Sequence, residues 1–299
     1  MTLRIYRTGN AEGFETQFLA MRHDLYNQEP ITRGEWQSQQ ISMPMLEMLH
    51  VVMEMPMPTM QTVAAEVTGA RMPWAEDHFL ERVGGEPLNP SPSEQWWPFR
   101  KKSADGDTNK DHKSEGAAFS HTYPERMWPK KAAPDEGLSD AGSGIHHGIR
   151  FAYGDLRDVV KQLHKAPLTR QAYLPIWFPE DTGAVHGKRV PCTLGYHFII
   201  TPEGKLDVSY FMRSTDLLRH FQDDVYMAIR LAQWVADEFN LLSMTAAAKE
   251  YSETGAYTYR EDQDKLEVGT LVFHTANMHI FEGDKPMIDF WKANNRSWF

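Results

Sequence analysis

Cys192 is the one cysteine among 299 residues, and it stands in the segment Lys188-Arg189-Val190-Pro191-Cys192-Thr193, just before an apolar run. Cationic neighbours lower a thiol's pKa and raise its thiolate fraction. Lys188 and Arg189 lie just upstream, and Arg213 is expected to return beside the thiol across a hairpin. A thiolate held at the start of a rigid strand can add to an electron-poor ring carbon. Taken alone, a lone cysteine also suits a small buried hydrophobe. Asp223 and Asp224 are equally two-sided. They open a helical pattern, where acids interact well with the macrodipole or cap the helix, yet an ionised carboxylate is also a pure hydrogen-bond acceptor. His146-His147 falls in a polar stretch, and nowhere does the spacing of a metal site appear.

The elements that must position these groups are clearest in the second half. Ala172 to Phe178 reads as a strand. Leu194 to Ile200 and Leu206 to Met212 form two runs joined by Pro202-Glu203-Gly204-Lys205, a hairpin turn signal. Leu194, Tyr196, Phe198 and Ile200 share one face while Ile199 lies on the other, so both faces are expected to be covered. From Asp223 to Leu241, Val225, Ile229, Ala232, Val235, Ala236 and Phe239 recur at helical spacing. Leu271 to Phe273 and Met278 to Phe281 read as late strand pieces. Upstream, Leu46 to Met55 reads as a strand ended by Pro56 and Pro58. Thr62 to Arg71 and Trp74 to Val83 read as helices before the Gly84-Gly85 break. Lys101 to Gly148 is rich in charge, Gly and Ser and poor in aliphatic residues, which predicts a polar, flexible insertion inside a single domain spanning 1–299.

A composition of 41% hydrophobic and 24% charged residues suits a globular chain with a real core. The formal net charge of -10 argues against a basic stripe for gripping nucleic acid. Any phosphate should then be met by a few local arginines, as suits a mononucleotide. A single cysteine excludes an intramolecular disulfide and points to a reducing compartment. No apolar run approaches a membrane span, and residues 1–10 carry no signal-peptide pattern, so the cytoplasm is the expected location.

Thr169-Arg170-Gln171, Trp177, Pro191-Cys192, Arg213-Ser214-Thr215-Asp216 and His279-Ile280-Phe281 follow one another in the order and near-spacing of the thymidylate synthase family, which this chain resembles from about Tyr153 to Phe281. The resemblance implies an α+β fold with a large mixed sheet covered by helices, sheet faces forming a homodimer interface, and a pyrimidine nucleoside monophosphate as substrate. It implies 5,10-methylenetetrahydrofolate as one-carbon donor. Cys192 is then the nucleophile that attacks carbon 6. Arg213 and Ser214 are phosphate ligands, Arg170 reaches the phosphate in the neighbouring subunit, and Arg33 is a further phosphate arginine from the N-terminal part. Tyr153 helps remove the proton from carbon 5, Asp216 holds the folate ring, and His279 binds the sugar hydroxyl. Glu66 is the expected glutamate base, with Glu76 and Glu81 as alternatives. Gln171, Thr193 and Phe281 depart from the family's arginine, histidine and tyrosine.

The family's substrate-choosing asparagine lies eleven residues after the arginine of Arg-Ser-x-Asp, and here that position is Asp224. A carboxylate suits the exocyclic amine of cytosine and repels the carbonyl of uracil. Because the cytosine ring nitrogen is itself an acceptor, one proton shared between ring and carboxylate is expected. Aspartate here resembles the deoxycytidylate and cytidylate hydroxymethylases, which implies 5-hydroxymethylation of dCMP or CMP. A thymidylate synthase acting on dUMP and a non-catalytic nucleotide-binding relative are the rival readings.

Overall fold

A computed structural model describes residues 3–33, 43–96, 121–132, 154–181, 190–256, 258–259 and 265–286. The long strand β3 (Met43–Pro56) and the last strand β8 (Glu267–Phe281) lie antiparallel at the centre of an eight-stranded sheet. Outside β3 runs β1 (Arg4–Arg7), parallel to it, and the short β2 (Ile31–Arg33) pairs with its start. On the other flank β6 (Lys205–Met212) runs parallel to β8, then β5 (Thr193–Ile200) and β4 (Tyr173–Pro175) follow antiparallel. The two-residue β7 (Thr215–Asp216) pairs with the end of β8. The sheet is mixed, as expected.

One face of it carries the core. Tyr196, Phe198 and Ile200 of β5 alternate inward with Leu206, Val208, Tyr210 and Met212 of β6, all buried, and Leu271 and Phe273 of β8 continue the layer. Helices α1 (Phe14–Tyr26), α2 (Gln61–Thr68), α3 (Trp74–Val83) and α5 (Leu156–Lys165) gather with α6 (Phe221–Thr254) over that face, α4 (Tyr123–Met127) packing on α3. The helix expected over 223–241 starts earlier and runs on to Thr254, where Gly255 at φ 74° ends it in the left-handed conformation. Its last turns are mostly exposed, so apolar periodicity could not mark them.

The opposite face is not covered by the described residues. Ile199 is 39% exposed, and Val52, Phe211, Val272 and His274 are half-buried beside it. The two late strand pieces are one continuous strand, because the residues that join them (His274, Thr275, Ala276, Asn277) are polar or small and carry no apolar signal. A bulge between Thr193 and Gly195 shifts Leu194 out of the inward row that alternation assigned to it.

Residues 121–132 lie inside the stretch read as a polar insertion, but they are packed. Thr122 caps α4 with Glu125 in a reciprocal capping box. Pro124, Arg126, Met127 and Trp128 are buried. Arg126 makes a bidentate pair with Asp181 at 2.7 and 2.8 Å, both side chains nearly inaccessible, with the guanidinium over the Phe178 ring. Asp181 also accepts from the Phe178 backbone N–H at 2.8 Å. The rest of 101–148 lies outside the described residues. Removing one partner of such a pair strands the other charge, so Asp181→Ala should cost about 3–5 kcal/mol in a denaturant titration. A loss below about 1 kcal/mol would show that the pair is solvated.

Candidate active site

Strand direction alone brings the candidate residues to one end of the sheet. β5 begins where β6 ends, β8 runs parallel to β6, and β3 runs against β8. Thr193 therefore faces Met212, Met212 faces Thr275, Asp216 pairs with His279, and Glu47 pairs with His279 from the other side. The first turn of α6 supplies Asp223 and Asp224 at the same end.

Cys192 is half-exposed and immediately precedes β5. Arg213, just past β6, holds the segment that carries it. The Arg213 backbone N–H donates to the Cys192 carbonyl at 2.9 Å. Its Nε donates to the Pro191 carbonyl at 2.9 Å, and Nη2 reaches the Val190 carbonyl at 3.1 Å and the thiol sulfur at 3.7 Å. Nη1 takes no protein acceptor among the described residues. Ser214 Oγ lies 3.3 Å from Nδ1 of His279 and 3.4 Å from Oδ1 of Asn277, which also sits 3.0 Å from that Nδ1. Glu47 accepts from Asn277 Nδ2 at 2.7 Å. Burial pushes the His279 pKa down to about 4, against the pull of Glu47, so the ring is neutral near pH 7.

The hydroxyl chain beside the thiol was not foreseen. Thr193 Oγ1 donates to the Tyr123 phenol at 3.3 Å and lies 2.8 Å from Tyr210 Oη. Burial, then the neighbouring Cys192, push the Tyr123 phenol well above its usual pKa. Tyr123 thus occupies the surroundings of the thiol, whereas Tyr153 lies outside the described residues. Tyr123 was passed over because it stands in the compositionally polar stretch.

Asp224 is buried, and its Oδ2 has no hydrogen-bond partner. The Thr215 hydroxyl faces this carboxyl and helps hold its pKa down, although Thr215 Oγ1 meets no partner within hydrogen-bond geometry among the described residues. Asp224 does not cap its helix: the N-cap is His220, with no side-chain cap bond. Asp223 is engaged elsewhere, accepting from the backbone N–H of Arg71 at 2.9 Å and from its Nε at 3.0 Å. Burial raises the Asp224 pKa to about 7, with Arg82 the strongest charge opposing the rise. Arg82, from the last turn of α3, is 3% exposed and lies 4.0 Å above the Tyr123 ring.

Asp216 is buried, and its Oδ1 accepts from the backbone N–H groups of Leu218 and Arg219 at 3.0 Å each. Oδ2 makes no hydrogen bond and stands 3.7 Å from Arg219 Nε. Burial lifts this carboxyl's pKa to about 7 as well. Arg170 is exposed at the sheet edge, its carbonyl accepting from Nε2 of His197 at 3.0 Å. Arg33 ends β2. Glu66 is not brought into the cluster. Ala64 and Thr68 take the buried side of α2 and leave it exposed between them. Glu76 is committed to Arg230 and Tyr226, and Glu81 to Ser93.

No family model matches the sequence, and no curated protein does. Among solved structures, the chain is similar to thermostable thymidylate synthase A from Bacillus subtilis, with a TM-score of 0.55 and 14% identity over 93% of this chain and 83% of that one. The chain has the thymidylate synthase fold. No helix among the described residues is long and apolar enough to cross a membrane.

A carboxyl whose pKa is higher folded than unfolded stabilises the fold fully only below its unfolded value. That contribution is lost as pH rises from the unfolded value to the folded one, because the unfolded state gives up its proton while the folded state still holds it. For Asp224 the window runs from about 4 to about 7. Asp224→Asn should therefore melt above the unaltered protein at pH 8, with the gap closing by pH 4. A variant equally or less stable at pH 8 would show that this carboxylate is not strained by burial.

Proposed function

We propose that this chain is a pyrimidine nucleotide 5-hydroxymethyltransferase that moves a one-carbon unit from 5,10-methylenetetrahydrofolate to carbon 5 of dCMP or CMP and completes it with water. The observation that carries this reading is Asp224. A buried carboxylate keeps one oxygen outside hydrogen-bond geometry, and the Tyr123 phenol near it is also the neighbour of the half-exposed thiol, on the thymidylate synthase fold. A buried acceptor without a donor is costly until a ligand supplies one. The exocyclic amine of cytosine supplies it, and the carbonyl of uracil does not.

The chain's own groups divide the work as follows. The Arg213 guanidinium lies beside the sulfur, whose thiolate form adds to carbon 6 and makes carbon 5 nucleophilic. Arg213 Nη1 and Ser214 Oγ are placed for the substrate phosphate, with Arg33 and the partner copy's equivalent of Arg170 as further ligands. The neutral His279 ring, fixed by Asn277 and Ser214, takes a sugar hydroxyl. Asp216 keeps Oδ2 free of hydrogen bonds, which suits an N–H-rich pterin edge. Bound there, methylenetetrahydrofolate supplies a carbon at the oxidation level of formaldehyde. The Tyr123 oxygen, already accepting from Thr193, takes the role assigned by sequence to Tyr153: drawing off the carbon 5 proton and orienting water. The open face of the sheet, with Arg170 at its edge, is where a second copy would dock to form a homodimer.

Incubating the protein with methylenetetrahydrofolate and dCMP, CMP or dUMP, then weighing the products, tests the reading. A cytosine nucleotide should gain the mass of one formaldehyde. Cys192→Ala should abolish this while nucleotide still binds, and turnover surviving in that variant would end the covalent mechanism. Asp224→Asn should move preference toward dUMP by roughly ten-fold or more, since the amide can donate to the uracil carbonyl. An unchanged cytosine-to-uracil ratio would refute the substrate assignment.

Sharing of sites gives a separate outcome. Mixed Arg170→Ala and Cys192→Ala chains should regain activity, because one composite site recovers both groups. A monomer in solution, or no rescue on mixing, would refute the shared site.

A further inference from the structure

Arg82 is a buried cation that nothing so far assigned uses. It is 3% exposed, and its Nε–H has no acceptor. Among the described residues it makes no ion pair; its guanidinium rests on the Tyr123 ring at 4.0 Å. An arginine cannot escape burial by losing its proton. A stranded donor of this kind is expensive unless something completes it. Arg82 is the charge that most opposes the rise of the Asp224 pKa, and that carboxyl has a stranded acceptor of its own. Neither atom completes the other, and both lie by the Tyr123 phenol that neighbours the thiol, so the interior there holds a free N–H and a free carboxylate oxygen.

That couple has a chemical complement. A ligand edge with one donor beside one acceptor satisfies both atoms with no change of protonation. The amidine edge of cytosine is such an edge, its amine donating and its ring nitrogen accepting. Resting on the function proposed above, we infer that Arg82 is a base-recognition residue. Its Nε–H donates to the cytosine ring nitrogen while Asp224 accepts from the amine. This replaces the shared proton expected from sequence: the ring nitrogen receives its hydrogen bond from a permanent cation, and Asp224 binds ionised. The positive charge beside the ring nitrogen also draws electrons from carbon 6, toward which Cys192 adds.

The two accounts differ in pH dependence. The charged and titratable groups around Asp224 are Arg82 from α3, Arg71 before it, Asp223 on its own helix, Tyr123 from α4, and Tyr196 and Tyr210 from β5 and β6. Burial raises all three phenols, so they do not titrate between pH 7 and 9. The substrate phosphate is already fully ionised there.

The experiment is calorimetric binding of dCMP, CMP and dUMP at pH 7, 8 and 9, with the full-length protein, Arg82→Met and Arg82→Gln. The unaltered protein should bind its cytosine nucleotide with affinity nearly flat across this range. Arg82→Met should bind it about ten-fold more weakly at pH 7 and weaken further by pH 9, by up to about ten-fold per pH unit once Asp224 ionises, because a proton must then be found for it. Arg82→Gln, which keeps a neutral N–H donor, should recover the flat profile. Steep loss in the unaltered protein would restore the shared proton and overturn the inference. Arg82→Met matching it at every pH would do the same, as would equal weakening for all nucleotides with a lowered melting point. If the unaltered protein prefers dUMP, the cytosine reading fails. Arg82 then stands as a base reader only if Arg82→Met weakens dUMP by the same ten-fold without a pH slope. Binding of none of the three removes both.

Discussion

The arrangement depends on one side chain. Arg213 takes three backbone carbonyls of 190–192 into its reach, two through its guanidinium and one through its own amide, and brings Nη2 against the thiol sulfur. The reactive residue precedes a strand and is held from the far end of the neighbouring one. Its position is therefore set by the pairing of β5 with β6. A one-residue slip in that hairpin would turn the inward tyrosines outward and carry the clamp off its carbonyls together. Core packing and site geometry share a single register.

From that fixed point the polar groups sort by whether the protein satisfies them. Asp223, Glu76, Glu81 and Asp181 all have close donors within the chain. Asp224 Oδ2, Thr215 Oγ1, Asp216 Oδ2 and Arg82 Nε have no partner within hydrogen-bond geometry among the described residues. Native interiors leave few buried polar atoms unpartnered. Here several fall on the segments β7, α3 and α6 that meet at the thiol end of the sheet. That contrast, more than any one motif, marks where a ligand belongs.

Much of this end was legible in sequence, and the reasons are local. The hairpin announced itself through Pro202 and Gly204, so Cys192 and Arg213 could be placed together before any coordinates. Asp224 followed by counting. What escaped were residues whose surroundings are made by tertiary contact. Tyr123 sits in a stretch whose average composition is polar, yet a capping box and a buried ion pair fold its short helix into the core. Arg82 looks like a solvated basic residue at a helix end, and only the packing of α3 against α4 and α6 buries it. Glu66 shows the reverse error. A glutamate in a plausible segment ends up outward, because small and polar neighbours at Ala64 and Thr68 took the inner face of a helix barely two turns long.

The lone, half-exposed cysteine has a further consequence for durability. A thiol open to solvent is also open to oxidants, and its first oxidation product is a sulfenic acid. In most redox-tolerant sites a second cysteine condenses with that product and shields it from further oxidation. This chain contains none. Repair must come from a small external thiol entering by the route the substrate uses. A bound nucleotide would then both shield the sulfur from oxidant and bar its rescuer.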